Sequence, residues 1–277
     1  MATIVGGFCV PHAPLITGAP DAPSPGVAER VFGTFAEVKS RIEALEADTV
    51  IVIGDDQCSM FHPRCLPRLL IGVGDIEGPI EPEPFIKISR QRVRNNEPLA
   101  EHLMNFGFRN GFDWAVSRSL VLDHSTMVPV HLAVAIPEMQ VIPIYISSGT
   151  IPLISGERCR QLGEMIGRGI AEWEGDERVV ILGTGGISHW VGMAEYGKVN
   201  EEFDHKILQS ALAGDVDALV ALTDEETLDQ AGNGALEIKN WIVAMAAMPD
   251  IKAEIMAYAA VEEWVTGMGF MDLAVVS

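Results

Sequence analysis

Thr49-Val50-Ile51-Val52-Ile53-Gly54, followed at once by Asp55-Asp56-Gln57, decides the class of the fold. An uncharged run rich in β-branched residues reads as a strand buried on both faces, the kind found inside sheets covered by helices. Gly54 ends it, and residues 55–67 read as loop. Upstream, Val27, Val31, Phe35, Val38, Ile42 and Leu45 recur at helical spacing, which predicts a helix over 27–47. Short β-branched runs and longer amphipathic segments go on alternating along the chain, the pattern of an α/β sandwich. Strands are expected at 3–8, 114–116, 141–146 and 178–182, with an apolar run at 69–73 and a last strand near 253–262 that closes the sheet. Helices are expected at 97–106, 156–173, 200–213, 215–222, 224–230 and 234–247, and residues 75–84 read as an exposed, proline-rich loop. No repeat, low-complexity tract or linker interrupts the pattern. One α/β domain spanning 1–277 is therefore expected, a sandwich with a central mixed sheet flanked by helices.

The 277 residues carry 39 acidic against 19 basic side chains, a net charge of −20. Such a surface repels phosphates, so nucleic acid and anionic membrane surfaces are not expected partners. Pro, Gly and charges interrupt every apolar run before it could span a bilayer. The N-terminal MATIVGGFCVPHAP lacks a basic region ahead of a long apolar stretch, so it does not read as a signal peptide. Cys9, Cys58, Cys65 and Cys159 form no CxxC pair and read as reduced thiols of a cytoplasmic protein.

Chemistry on α/β folds gathers on loops just past strand ends. Pro11-His12-Ala13-Pro14 follows the first strand, and a histidine between prolines sits on a stiff backbone suited to a ligand of fixed orientation. A plain surface histidine is the competing reading. Gly54-Asp55-Asp56-Gln57-Cys58-Ser59-Met60-Phe61-His62 is unusually polar for its position, although a turn closed by Asx hydrogen bonds would look the same. Gly183-Thr184-Gly185-Gly186-Ile187-Ser188-His189-Trp190 has neither Gly-Lys-Ser/Thr nor GxGxxG spacing, so it reads as a tight turn presenting His189 as a general acid or base, not as a phosphate loop. Leu122-Asp123-His124-Ser125 puts a further histidine in a loop. Gly232-Asn233-Gly234-Ala235-Leu236-Glu237 brings Glu237 to the start of an apolar helix, either as a helix-start acid or as a partly buried carboxylate that needs a cation. His102, His131 and His205 read as core or surface residues.

Taken in order, PHAP, the strand with its GDD turn, LDHS, GTGGISHW and GNGALE resemble the class III extradiol ring-cleavage dioxygenases, the family of the protocatechuate 4,5-dioxygenase catalytic subunit. The resemblance implies an Fe(II) held by two histidines and a glutamate with positions left open for substrate and O2. It carries His12 over as one ligand, Glu237 as the carboxylate ligand, His189 as the acid/base histidine and His124 as a catalytic histidine lining the pocket. At the second ligand the sequence departs: the family's loop reads Asp-His, and this chain reads Asp56-Gln57. Gln57 offers a neutral, weaker oxygen donor, and His62, five residues on, is the alternative ligand.

Three functions follow from that departure. The first is extradiol cleavage of a catechol-like or aminophenol-like aromatic acid by O2 at an altered iron site. The second is non-oxidative lyase, hydrolase or decarboxylase chemistry on a phenolic or ring-opened acid in the same pocket. The third is a non-catalytic subunit paired with an active dioxygenase. The expected partners are a small aromatic substrate, O2, and either a second copy of the chain or a small companion subunit.

Overall fold

Every residue of the Thr49–Gly54 strand is buried in the computed structural model, which describes residues 1–248 and 250–276. In chain order the elements are β1 (Thr3–Val10), α1 (Leu15–Gly18), α2 (Pro25–Ala44), β2 (Thr49–Gly54), β3 (Leu69–Gly78), β4 (Gln91–Val93), α3 (Glu97–Arg109), β5 (Ala115–Val121), α4 (His124–Ala133), β6 (Gln140–Ile146), α5 (Gly156–Ala171), β7 (Arg178–Thr184), α6 (Glu201–Leu212), α7 (Val216–Val220), α8 (Asp224–Ala231), α9 (Ile238–Ala246), β8 (Ile251–Val261) and β9 (Thr266–Val275). Among the described residues nine strands form one mixed sheet in the order β4-β3-β6-β2-β7-β1-β9-β8, with β5 alongside β3. The four central strands β6, β2, β7 and β1 are parallel, and β3 and β9 add antiparallel flanks. The expected α/β sandwich with a central mixed sheet is what the chain forms.

Side-chain alternation along the strands builds two cores. Val50 and Val52 of β2, with Val180 and Leu182 of β7, face one side and meet Val31, Phe35, Val38 and Ile42 of α2. Ile51 and Ile53, with Val179 and Ile181, face the other and meet Leu162 and Ile166 of α5 and Trp241 and Met245 of α9. The α2 stripe is the one predicted from its spacing, and Pro25 opens the helix at a position where a missing N–H costs nothing. α9 is buried on all sides because it lies between the sheet and α5. Where the two helices touch, Gly163 and Gly167 of α5 let its backbone reach that of α9; a methyl at either would collide with Val243 O or Ala247 O.

Three expectations are corrected. β3 runs on through Gly78, so residues 75–78 are strand and not loop. Two strands close the sheet, not one: β9 pairs with β8 along its whole length and joins it to β1. His124 is the first residue of a helix, whose N-cap Asp123 accepts from Ser125 N, and not part of a loop. Among the described residues no helix is long and apolar enough to cross a membrane.

Candidate active site

Val10 of β1 pairs with Thr184 of β7, and Ile53 of β2 with Gly183, so the three strands end at one edge of the sheet. His12, Asp55 and the Gly185-Gly186 turn leave that edge side by side, where ligands of parallel α/β sheets bind. Thr184 Oγ1 donates to Ile53 O (3.0 Å), so it can only accept from His12 Nδ1 (3.0 Å). In the neutral imidazole Nε2 therefore carries the lone pair, and it points at Glu237 Oε1, 3.2 Å away. The other oxygen, Oε2, accepts from Gly186 N (2.9 Å) and lies 3.6 Å from His189 Nε2.

The glycines of this region make room for side chains. Gly185 takes φ +143°, and a Cβ there would press on Glu237; at Gly234 a Cβ would occupy the place of the His189 ring. His189 is held on three sides: its N donates to Ala231 O, its carbonyl accepts from Gly234 N, and Nδ1 donates to Ile187 O (3.1 Å). That leaves His189 Nε2 as the nitrogen that takes up or gives a proton.

Two adjacent carboxylates after β2 do different things. Asp55 is buried; its Oδ2 accepts from Ser148 Oγ (2.7 Å) and its Oδ1 from Asn240 Nδ2 (3.0 Å). Asp56 accepts from the backbone N–H groups of Ser59, Met60 and Phe61, so it shapes the loop in the Asx manner. Gln57 Nε2 donates toward both Glu237 Oε1 (2.8 Å) and His12 Nε2 (3.3 Å). His62 is exposed and its Nδ1 accepts from Arg64 N (3.1 Å); nothing brings it to His12 or Glu237.

His124 Nδ1 lies 2.7 Å from Glu81 Oε1, both side chains being over nine-tenths buried, and its ring meets that of His12 edge-on at 5.7 Å between centroids. Of the predicted residues, His12, Gln57, His124, His189 and Glu237 are thus brought together, and His62 is not. Asp55, Glu81, Ser148, Thr184 and Asn240 complete the set and were not singled out from sequence. Asp55 alone left a signal, as a carboxylate directly after a strand buried at every position.

Donor atoms from His12, Asp55 and Glu237 all lie within 4.8 Å of one another. One imidazole nitrogen and two carboxylates suit a divalent metal of the N/O-binding type, so the residues present fit such an ion. The electrostatics agree. Burial, and then Glu237 nearby, push the Asp55 carboxyl up to about 7. Burial would raise Glu237 too, but His12 and His189 outweigh it and hold that carboxyl well below the usual range. Burial works against charge on His12 and His189, yet Glu237 lifts both above the ordinary imidazole value. A proton and a metal ion thus compete for the same lone pair of His12. A cleft of about 990 Å³ lies elsewhere: it opens at the start of β1 around Ala2, Thr3 and Ile4 and holds none of these residues.

A family model described as the catalytic LigB subunit of aromatic ring-opening dioxygenase matches residues 6–269. A 2,3-dihydroxyphenylpropionate/2,3-dihydroxicinnamic acid 1,2-dioxygenase from Burkholderia vietnamiensis (strain G4 / LMG 22486) is 27% identical over 315 aligned residues, which cover 95% of each chain. A protein of the same name from Escherichia coli O139:H28 (strain E24377A / ETEC) is 25% identical, covering 95% of this chain and 96% of its own. Among solved structures, the uncharacterized protein JW3007 from Escherichia coli K12 superposes with a TM-score of 0.64 over 98% of this chain and 100% of that one. At 8% identity that likeness bears on the fold alone.

Proposed function

The chain belongs to the family of the catalytic LigB subunit of aromatic ring-opening dioxygenases, and from that premise we propose that it cleaves the ring of a catechol-type aromatic acid with O2, in the extradiol sense. One observation carries the reading: His12, Glu237, His189 and His124, distant in sequence, meet at one buried point on the carboxyl edge of the sheet. The names of the relatives favour a catechol with a short carboxylate side chain as substrate.

His12 and Glu237 would hold Fe(II), with a third donor from the loop after β2. Bound there, the iron supplies charge stabilisation and a common anchor for the catechol oxygens and O2. The protein's part is proton handling and exclusion of water. His189 accepts a phenolic proton at Nε2, because Nδ1–H is committed to Ile187 O, and Glu237 stabilises the imidazolium that results. His124, its Nδ1 fixed by Glu81, stands edge-on beside His12 and keeps one ring nitrogen for the substrate. Both atoms of O2 end in the ring-opened product, a carboxylic acid that also carries an aldehyde or ketone. With all four side chains below one-tenth exposed, little water can compete for the reacting groups.

The test is anaerobic loading with Fe(II), followed by mixing with O2 and a panel of catechol and aminophenol acids. Expected are stoichiometric O2 uptake and the strong visible absorption of a ring-opened product. In His189→Ala kcat should fall by roughly 10²–10⁴-fold. An iron-loaded protein that consumes no O2 with any member of the panel would reject the reading.

A further inference from the structure

We propose that the third metal ligand is Asp55, giving a site of one histidine and two carboxylates, and that Gln57 stays outside the coordination sphere although it occupies the position of the family's second histidine. The inference rests on the metal-dependent reading above, but its readout is binding and not turnover.

The support for each donor atom is the first argument. Metal ligands are held in orientation by outer hydrogen bonds. His12 has one to Thr184, Glu237 has one from Gly186 N, and Asp55 has two, from Ser148 and Asn240. Asn240 also donates to Thr184 O (2.8 Å), so a single amide on α9 ties the Asp55 support to the His12 support. Gln57 has none of this. Its Oε1, the atom that would bind a cation, accepts no hydrogen bond from the described residues. Its Nε2 end is the one turned toward His12 and Glu237, and an N–H donor cannot ligate a cation.

Placement is the second argument. Asp55 follows the last residue of β2 directly and is 3% exposed, so the sheet itself sets its position. Gln57 lies two residues further out, on a loop whose shape depends on the Asp56 carboxylate.

Charge is the third. Two carboxylates and a neutral imidazole balance a dication within the site. Without a cation, the two carboxylates Asp55 and Glu237 are offset only by protons on the site itself, chiefly on the two histidines that meet Glu237. No lysine or arginine among the described residues pairs with either. The nearest buried amine is Lys239, whose Nζ is 3.3 Å from Ser148 O, and it is taken by Asp224 at 2.6 Å. Two carboxylates also make the donor set harder than a pair of imidazoles, so it should accept Mn(II) readily.

Anaerobic titration of the intact chain with Fe(II), and separately with Mn(II) followed by electron paramagnetic resonance, tests this. The wild type should bind one ion per chain. Asp55→Asn should weaken binding about 100-fold or more, as should His12→Ala and Glu237→Gln, whereas Gln57→Ala should stay within about tenfold. Adding Gln57→His to Asp55→Asn should restore binding, since the new imidazole takes the vacated position. Should Asp55→Asn fail to fold, Gln57→Ala alone decides: retained binding supports Asp55, and a hundredfold loss makes Gln57 the ligand and overturns the proposal. A wild type that binds neither ion at millimolar concentration rejects both this inference and the metal-dependent function. Binding as described without O2 uptake rejects only the ring-cleavage reading.

Discussion

Asp123 caps α4 and also carries an electrostatic load. Its Oδ1 accepts from Ser125 N, Ser125 Oγ and Tyr145 OH, while Oδ2 is buried with no hydrogen-bond partner among the described residues. Burial pushes its carboxyl up to about 6, against 3.8 for an unperturbed aspartate, despite His124 beside it. A raised carboxyl favours the protonated folded state. The contribution is fully present below the unfolded value and is lost as pH rises from about 4 through about 6. Asp123→Asn keeps an N-capping side chain and cannot ionise. Urea unfolding at several pH values should therefore show the variant gaining on the wild type between pH 4 and 7, by about 3 kcal/mol at most. A wild type that gains on the variant over that range would show that the carboxylate has a cationic partner. The neighbouring carboxylates after β2 show what sequence leaves open at this scale. Asp55 and Asp56 are the same residue type one position apart. Asp55 is turned to the site by Ser148 and Asn240, which lie far along the chain, and Asp56 to its own loop by the N–H groups of Ser59, Met60 and Phe61.

Helix α5 meets α9 through Gly163 and Gly167, and this contact sets two effects of a methyl group against each other. Alanine favours a helix over glycine by about 1 kcal/mol. A Cβ at Gly167 would also meet the backbone of Ala247, which cannot move aside as a side chain can, at a cost of roughly 1–3 kcal/mol. Gly167→Ala should therefore be destabilising in denaturant unfolding. Gly33→Ala on α2, where nothing lies within 4 Å of the new methyl, should be stabilising by about 0.5–1 kcal/mol. Equal effects at the two positions would mean that the α5–α9 contact is not tight in solution. Elements were legible in the sequence where their signal is local. β2 is one uninterrupted apolar run, and α2 repeats every third or fourth residue. β9 was not legible, because Gly267 and Gly269 dilute its β-forming residues and its partner β8 stabilises it. Glu81 was hidden for a related reason. Its loop is polar and proline-rich in sequence, and only the fold reveals that His124 buries it.

One sheet carries a core on each face, so the two packing regions share the same strands. Ile42 of α2 and Ile166 of α5 are both fully buried, on opposite faces. Alanine at either should cost about 2–5 kcal/mol, and the two costs should add within about 0.5 kcal/mol in the double variant. Both should lower the same transition; two separate transitions would mean that the sheet does not couple its faces. The site draws on both ends of the chain, His12 from the start and Glu237 from the last quarter, so the family resemblance implied that the motifs meet while no local pattern in the sequence did. That meeting point has a mechanical side. Glu237 immediately precedes α9, Asn240 lies within it, and α9 rests on α5 backbone to backbone. A seam of that kind has little give, so it passes a displacement on and does not absorb it. Strain applied at the far end of α9, near Ala247, would then travel along the helix axis to the Glu237 and Asn240 side chains, so a disturbance outside the candidate site would be felt inside it.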